Sequence, residues 1–190
     1  MTLTPTPSQT VGPYLHLGLT DTRSIPCLAA KGVNGDRMLL LIRVLDGDGV
    51  PVPDAMIELW QADCEGNYPR TDQPASAAAD AAFRGFGRMP TGEDGSCAFE
   101  TIKPGLVPGP GDTLQAPHIN VSILGRGLLK RLSTRVYFAS EPANLSDRIL
   151  ALVPENRRNT LLARPDPARA GGWIFEIRLS GEGETVFFDV

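Results

Sequence analysis

The sequence has 190 residues, a mass of 20.4 kDa and 42% apolar residues, which is enough for one domain with a substantial core. The formal net charge is −4 and the 18 basic residues are dispersed, so neither nucleic acid nor an anionic membrane is expected as a partner. No apolar run reaches the roughly 18 residues that cross a membrane, and the first residues lack a basic stretch followed by an apolar one. These features predict a cytoplasmic, single-domain protein.

The cysteines argue against disulfide-rich and zinc-binding proteins, and the turn-forming residues indicate the kind of secondary structure. Cys27, Cys64 and Cys97 are an odd number with wide spacings and no Cys-x-x-Cys pair, which fits neither a disulfide framework nor a zinc knuckle. They are predicted to be small buried or half-buried thiols. The 20 glycines and 17 prolines favour short strands joined by many turns.

The chain opens with a segment that has no regular periodicity. Residues 1–36 are rich in Thr, Pro and Gly, and we expect an extended arm that packs on a partner, because the segment offers no core of its own. Residues 37–190 are predicted to form a single domain. Its first strand is Arg37–Leu45, a continuous apolar run that is followed by the turn signal Asp-Gly-Asp-Gly.

Further elements follow in chain order. Ala55–Gln61 alternates between two faces and is predicted to be a strand, whereas Ala62–Gly95 is predicted to be a long loop with a short helical turn at Ala75–Ala82. Short helices are predicted at Asp147–Leu152 and Glu155–Leu162. The pattern of short runs bounded by Gly or Pro predicts an all-β sandwich. The remaining predicted strands are Ser96–Ile102, His118–Leu124, Arg131–Phe138, Trp173–Leu179 and Thr185–Asp189.

The sequence lacks the motifs of nucleotide-binding proteins and of serine hydrolases. No phosphate-binding glycine loop leads into a helix, and no G-x-S-x-G nucleophile elbow is present in the sequence. Because His16 and His118 are the only histidines, a transition-metal site would have to use Tyr14, Tyr68 and Tyr137 or carboxylates. Composition and pattern alone therefore indicate an all-β domain without an assigned reaction.

Several segments, spread over nearly the whole chain, carry a family pattern. They are Thr6–Tyr14 (TPSQTVGPY), Glu58–Asp63 (ELWQAD) with the following Gly66-Asn67-Tyr68, Phe86–Arg88 (FGR), Thr101–Gly105 (TIKPG), Ala116–Asn120 (APHIN) and Gly181–Val190 (GEGETVFFDV). Together they resemble the intradiol ring-cleavage dioxygenase family, and the first and last segments point to the α type of its two-chain members. The resemblance implies a transthyretin-like β-sandwich with long loops and one or two short helices.

The iron ligands of the family are matched only in part. The resemblance implies Fe(III) held by two tyrosines and two histidines, with a catechol bound to the metal and dioxygen inserted between its hydroxyl-bearing carbons. Tyr68 matches the first tyrosine and His118 the first histidine, but Val107 and Asn120 stand at the second positions. Valine cannot ligate, and an amide is a poor donor to Fe(III). The resemblance therefore implies that this chain holds no metal and that these residues are pseudo-active-site relics.

The resemblance also implies a partner. An α-type chain pairs with an iron-binding β chain about a pseudo-twofold axis, the pairs assemble further, and the Fe(III) belongs to the β chain. Thr10, Gly12 and Pro13 of the arm, together with Arg135 on a late strand, are implied to line the pocket of the β chain. A guanidinium near the pocket mouth favours an aromatic substrate that carries a ring carboxylate.

Two other interpretations stay open from the sequence. The stretch from Asp46 to Trp60 alone also suits a non-enzymatic transthyretin-like binding or scaffold module. A self-sufficient intradiol enzyme would need an unusual ligand set, for example Tyr14 or Tyr137 with His118. Iron analysis of the purified chain and the identity of any co-purifying chain separate the three interpretations.

Overall fold

Ten strands carry the fold in the part of the chain that the computed structural model describes, residues 4–69 and 82–189. The strands are β1 (Arg37–Leu45), β2 (Met56–Gln61), β3 (Phe86–Pro90), β4 (Ser96–Ile102), β5 (Val107–Pro108), β6 (Leu114–Gln115), β7 (His118–Leu124), β8 (Leu132–Phe138), β9 (Leu162–Pro165) and β10 (Gly172–Arg178). The helices of the described residues are α1 (Pro13–Leu19), α2 (Arg148–Leu152) and two 3₁₀ helices, Pro142–Leu145 and Glu155–Leu161.

Eight of these strands form two layers that share one strand. Their order is β3-β2-β7-β8-β9-β10-β1-β4, and β5 pairs with β6 separately. The start of β9 pairs with β8, through Leu162 and Tyr137, and its end pairs with β10, through Arg164 and Ile174. The chain therefore passes from one layer to the other within a single strand, and the result is a β-sandwich.

The core lies between the two layers. Alternate residues of each strand face inward, as the period of two along a strand requires. Each large apolar side chain that is fully buried there contributes about 1.5–3 kcal/mol to stability. The buried residues at the centre of the core are Leu40, Ile42, Phe99 and Phe175 from one layer and Ile57, Leu59, Val121 and Val136 from the other.

A segment that precedes β1 closes the opposite side of the sandwich. The Ile25 N–H donates to the Arg88 carbonyl of edge strand β3 at 2.7 Å, and the Leu28 N–H donates to the Glu100 carbonyl of edge strand β4 at 2.9 Å. Ile25–Ala29 thus bonds to both outer strands, which covers edges that would otherwise be open to pairing with another chain.

The predicted extended arm differs from the structure in two respects. Residues 13–19 are not extended but form α1, with Gly12 as N-cap and Pro13 in the first turn. Ile25–Ala29 is part of the sandwich, so the arm does not reach residue 36. The helix escaped prediction because it has seven residues and none of them is buried, which leaves no apolar period to detect. Packing of the arm on a partner stays a prediction.

Most of the predicted elements are confirmed. Strands β1, β4 and β7 match the prediction to the residue, and β2, β8 and β10 match to within one residue at each end. The short helices predicted after residue 146 are confirmed as α2 and the 3₁₀ helix Glu155–Leu161. The helical turn predicted at Ala75–Ala82 lies outside the described residues, apart from Ala82.

Two assignments are wrong. Ala62–Gly95 is not all loop, because it contains β3, and Thr185–Asp189 is not a strand. Strand β10 pairs with β9 on one side and with β1 on the other, so the segment that follows it cannot pair with β10 as a further strand. Residues 185–189 instead make isolated backbone hydrogen bonds to both layers. The Thr185 N–H donates to the Arg178 carbonyl of β10 at 3.0 Å, and the Phe188 N–H donates to the Ser133 carbonyl of β8 at 2.8 Å.

The cysteine prediction holds for two of the three residues. Cys97 is buried, and burial raises its thiol pKa to about 12, while Cys64 is half-buried. Cys27 is exposed, so the prediction is wrong there. Within the described ranges no helix has the length and apolar character needed to span a membrane.

Candidate functional site

The candidate site lies on the outer face of the β2-β7-β8 layer. Trp60 pairs with Asn120, and Asn120 pairs with Arg135, so these side chains are adjacent across three strands. His118 and Tyr137 form another pair on the same face, two residues further along. Because strand side chains alternate, these five share the face that points away from the core.

Three of the predicted relic positions form one hydrogen-bonded cluster. The His118 Nδ1–H donates to the Ala116 carbonyl at 2.7 Å, which leaves the Nε2 lone pair to accept from the Tyr68 hydroxyl at 3.4 Å. Asn120 Nδ2 donates to the Tyr68 oxygen at 3.0 Å and to the Trp60 carbonyl at 3.3 Å. The Trp60 ring stacks on Tyr68 with centroids 5.7 Å apart. Tyr68 is thereby fixed as a donor to His118 and an acceptor from Asn120.

The fourth position, Val107, lies beside the loop that carries Tyr68. Val107 is 5% exposed and belongs to the short strand β5. Gly66, two residues before Tyr68, has a φ of +86°, and a Cβ at this position would overlap the carbonyl oxygen of Leu106. This close backbone approach brings a buried hydrocarbon residue, and no donor, next to the Tyr68 loop.

Burial keeps the ionisable groups of the cluster uncharged near neutral pH. Desolvation, helped by the charge of Arg135, lowers the pKa of His118 from 6.5 to about 4. Desolvation raises the pKa of Tyr68, against smaller opposing effects of Asn120 and Arg135. It also raises the pKa of Tyr137, to about 12. Arg135 therefore supplies the positive charge that acts on all three groups.

Asp147 supports the cluster from the adjoining α2 helix. Its side chain is fully buried, and Oδ1 accepts from the Leu150 N–H at 2.7 Å and from the Tyr137 hydroxyl at 3.3 Å. Oδ2 accepts from the Ala116 N–H at 2.7 Å. Since the Ala116 carbonyl orients His118, Asp147 holds both Tyr137 and the backbone behind His118. The sequence indicated only a helix start at this position, and the other two bonds had no local signal.

The donor set does not fit a ferric ion. Fe(III) requires hard anionic ligands, and the available donors are a phenol with a raised pKa and one neutral imidazole, bonded to each other. Asn120 turns its amide nitrogen toward Tyr68, and Val107 has no donor atom. In residues 4–69 and 82–189, no group of three or more His, Cys, Asp or Glu side chains is placed to hold a metal.

The residues predicted to line the partner pocket fall in two places. Thr10 Oγ1 accepts a backbone N–H at 2.8 Å from the turn between β7 and β8, and Gly12 and Pro13 begin α1. Arg135 lies further along that hairpin, opposite Asn120. Among the described contacts none joins the arm to Arg135, so their shared role in the pocket of another chain stays a prediction.

The unusual ligand set considered for a self-sufficient enzyme is not assembled. Tyr14 is 84% exposed on α1 whereas His118 is 1% exposed, so they do not share a site. The Tyr137 and His118 rings are neighbours, with centroids 5.9 Å apart. The Tyr137 hydroxyl nevertheless donates its hydrogen bond to Asp147.

The chain belongs to a known family. Residues 12–181 match the model of the Dioxygenase family, and the chain belongs to that family. A solved structure, the dioxygenase domain of a dioxygenase and carbohydrate-binding protein fusion from Streptomyces sp. SirexAA-E, superposes with a TM-score of 0.64 at 26% identity, covering 93% of this chain and 99% of that one.

Within the family, the chain is similar over its whole length to protocatechuate 3,4-dioxygenase alpha chains. It is 44% identical to that of Burkholderia cepacia, covering 100% of this chain and 99% of the relative. It is 42% identical to that of Pseudomonas putida, covering 97% and 96%. The beta chain from Burkholderia cepacia is 35% identical, over 80% of this chain and 67% of the relative. The family resemblance found in the sequence is confirmed.

Proposed function

We propose that this chain is the iron-free α subunit of a protocatechuate 3,4-dioxygenase. The assembly cleaves 3,4-dihydroxybenzoate between its hydroxyl-bearing carbons with O2, and gives 3-carboxy-cis,cis-muconate in aromatic catabolism through the β-ketoadipate pathway. The full-length similarity to two α chains supports this role, and the shorter, weaker similarity to a β chain supports a homologous partner.

The observation that carries the proposal is the state of the relic cluster. Val107 and Asn120 remove two donor positions, and the Asn120 amide instead donates to Tyr68 at 3.0 Å. The atoms that could bind a metal, His118 Nε2 and the Tyr68 oxygen, are engaged in hydrogen bonds within the protein. The Fe(III) therefore belongs to the β chain, and this chain contributes structure and part of the pocket wall.

The arm and α1 are the proposed contact with the β chain. Thr10 fastens the arm to the β7–β8 turn, and His16 Nδ1 lies 2.7 Å from the Asp54 carboxylate, so one side of α1 is tied to the sandwich. Tyr14 and Leu17, three residues apart on the helix, are 84% and 63% exposed. An anchored helix that turns its apolar side outward suits coverage by another chain.

We retain Thr10, Gly12, Pro13 and Arg135 as the proposed wall of the β-chain pocket. The arm is held in place from within this chain, and Arg135 brings a charge that attracts the ring carboxylate of the substrate. The αβ pairs assemble further in this proposal.

The test is to produce the chain alone and together with a β-chain homologue that has both tyrosines and both histidines. We expect iron and ring cleavage only in the co-produced assembly, with one iron for each αβ pair. Stoichiometric iron and ring cleavage in the chain alone would overturn the proposal. A chain that never associates with such a β chain would favour the non-enzymatic binding or scaffold module.

A pair of truncations tests the arm. Deletion of residues 1–13 removes Thr10, Gly12 and Pro13, and we expect lower activity in the co-produced assembly. Deletion of residues 1–9 keeps all three and is the matched control, which should retain more activity. If removal of residues 1–13 leaves activity and assembly unchanged, the arm has no part in the pocket.

A further inference from the structure

The turn that leads into β1 holds the one Asn-Gly pair of the sequence, Asn34 and Gly35. The other asparagines are followed by Tyr, Val, Leu, Arg or Thr. The backbone nitrogen of a glycine has no side chain beside it that would hinder its approach to a neighbouring carbonyl carbon. The pair therefore places an unhindered backbone nitrogen next to a side-chain amide.

The fold requires a glycine at position 35. Gly35 has a φ of +118°, which residues with a side chain rarely adopt. A Cβ at this position would also lie 2.9 Å from the Cβ of Cys64 and 3.2 Å from the Ile102 side chain. The Lys103 N–H donates to the Asp36 carbonyl at 2.8 Å and fixes the next residue. The packing of the turn thus keeps the unhindered nitrogen in place.

The two reacting groups are open to solvent. Asn34 and Gly35 are both exposed, and neither lies in a helix or a strand. Among the described residues, none forms a hydrogen bond with the Asn34 amide or with the Gly35 N–H. The side chain of Asn34 can therefore rotate between its staggered conformations until its carbonyl carbon meets the Gly35 nitrogen.

We propose that Asn34 is a site of spontaneous deamidation, with aspartate and isoaspartate as the products. The Gly35 nitrogen loses its proton and attacks the carbonyl carbon of the Asn34 side chain. A new C–N bond forms, the bond to the amide nitrogen breaks, and ammonia leaves with a proton. Water then opens the cyclic succinimide. Cleavage of its bond to the side-chain carbonyl gives aspartate, and cleavage of its bond to the backbone carbonyl gives isoaspartate. The net reaction exchanges ammonia for water and involves no oxidation.

The products change a turn that packs against the rest of the sandwich. Either product adds a negative charge beside Asp36, and isoaspartate also inserts a methylene into the backbone. Gly35 approaches Cys64 of the loop after β2, and Lys103 binds Asp36 directly after β4. A longer backbone at this position shifts one or both of these contacts. Deamidation therefore loosens the junction between the turn, the loop after β2 and the end of β4.

The test compares the deamidation rate of the folded chain with that of a short peptide. Trypsin cleaves after Lys31 and Arg37, and the resulting fragment, residues 32–37, contains Asn34 as its only asparagine. Deamidation raises the mass of this fragment by about 1 Da. The full chain, in the assembly in which it purifies, and a synthetic peptide of residues 30–38 are incubated together at mildly alkaline pH and analysed by mass spectrometry. Samples digested before incubation correct for conversion during digestion.

We expect Asn34 of the folded chain to deamidate within about tenfold of the rate in the peptide, because no part of the fold has to open first. A rate in the folded chain that is slower by more than this factor would overturn the proposal, since the fold would then protect the pair.

A pair of variants assigns the product to this residue. Asn34→Gln lengthens the side chain, which disfavours the cyclic intermediate, and should lower isoaspartate to background when it is measured by methyl transfer with an isoaspartyl methyltransferase. Asn159→Gln, at another exposed asparagine, is the matched control and should keep the wild-type amount. Equal amounts of isoaspartate in the two variants would contradict the assignment to Asn34. Neither readout uses iron or ring cleavage, so the proposed function is tested separately.

Discussion

Replacement of Asp147 by alanine is expected to destabilise the chain strongly. The carboxylate is fully buried and accepts three hydrogen bonds, from the Leu150 N–H, the Ala116 N–H and the Tyr137 hydroxyl. These bonds join α2, the segment before β7 and strand β8. Loss of the side chain therefore removes a helix cap and two links beneath the candidate site.

The magnitude follows from the groups left behind. Loss of an N-cap costs about 1 kcal/mol. A buried N–H without an acceptor, here that of Ala116, costs about 1–3 kcal/mol, and the Tyr137 hydroxyl loses its acceptor as well. We expect Asp147→Ala to lower the free energy of unfolding by about 3–4 kcal/mol, because contributions within one network do not add fully.

Urea unfolding of the purified chain, followed by circular dichroism, measures this effect. Asp147→Asn keeps one acceptor oxygen and should cost less than Asp147→Ala. Ser146→Ala, at the exposed neighbouring residue, should change the free energy of unfolding by less than about 0.5 kcal/mol. A folded Asp147→Ala variant that loses less than about 1 kcal/mol would refute the assignment of this carboxylate as the link between the three elements.

Two further predictions concern the loop and the imidazole of the site. Gly66→Ala should lower the free energy of unfolding by at least about 2 kcal/mol more than Gly32→Ala. Both glycines have positive φ, +86° and +94°, but only at Gly66 would a Cβ overlap the Leu106 carbonyl. Equal urea midpoints for the two variants would contradict the close approach. The pKa of His118 is lowered from 6.5 to about 4, so the unfolded chain takes up a proton first and stability falls as pH drops from 6.5 toward 4. His118→Gln should remove up to about 3 kcal/mol of this loss of stability, at 1.36 kcal/mol per pH unit, whereas His16→Gln should show the same loss as the wild type. Urea midpoints measured from pH 7 to 4 test this. A loss of the same size in His118→Gln would contradict the assignment to His118.

Local pattern was sufficient for β1, β4 and β7 and insufficient for β3. The apolar runs of β1, β4 and β7 are strongly periodic or continuous, so their ends were predicted to the residue. Strand β3 contains Gly87 and ends at Pro90, which lowers its apparent strand propensity. Gly87 has a tertiary reason, because a Cβ there would lie 2.5 Å from the Leu28 side chain and 2.9 Å from Phe99. The packing that favours glycine is made by residues distant in sequence and leaves no local signal.

The candidate site divides in the same way. Tyr68, His118, Val107 and Asn120 were identified because the family pattern fixes four positions; this chain matches the pattern at the first two of these residues and departs from it at the other two. Asp147 lies 31 residues from Ala116, and no periodicity connects them, so its role could be seen only in the folded chain. Residues recognised by pattern were predictable, whereas partners joined by the fold were not.

The hydrogen bonds of the cluster explain how His118 and Tyr68 are accommodated on the outer face of the β2-β7-β8 layer. An unpaired buried imidazole would cost about 1–3 kcal/mol, so His118, which is 1% exposed, needs a partner, and the half-buried Tyr68 supplies one. His118 has the Ala116 carbonyl and Tyr68, and Tyr68 has Asn120. In the described residues the sole buried side-chain polar atom without a partner is Asn144 Oδ1, which lies outside this cluster. The amide of Asn120 thus completes the hydrogen bonding of Tyr68.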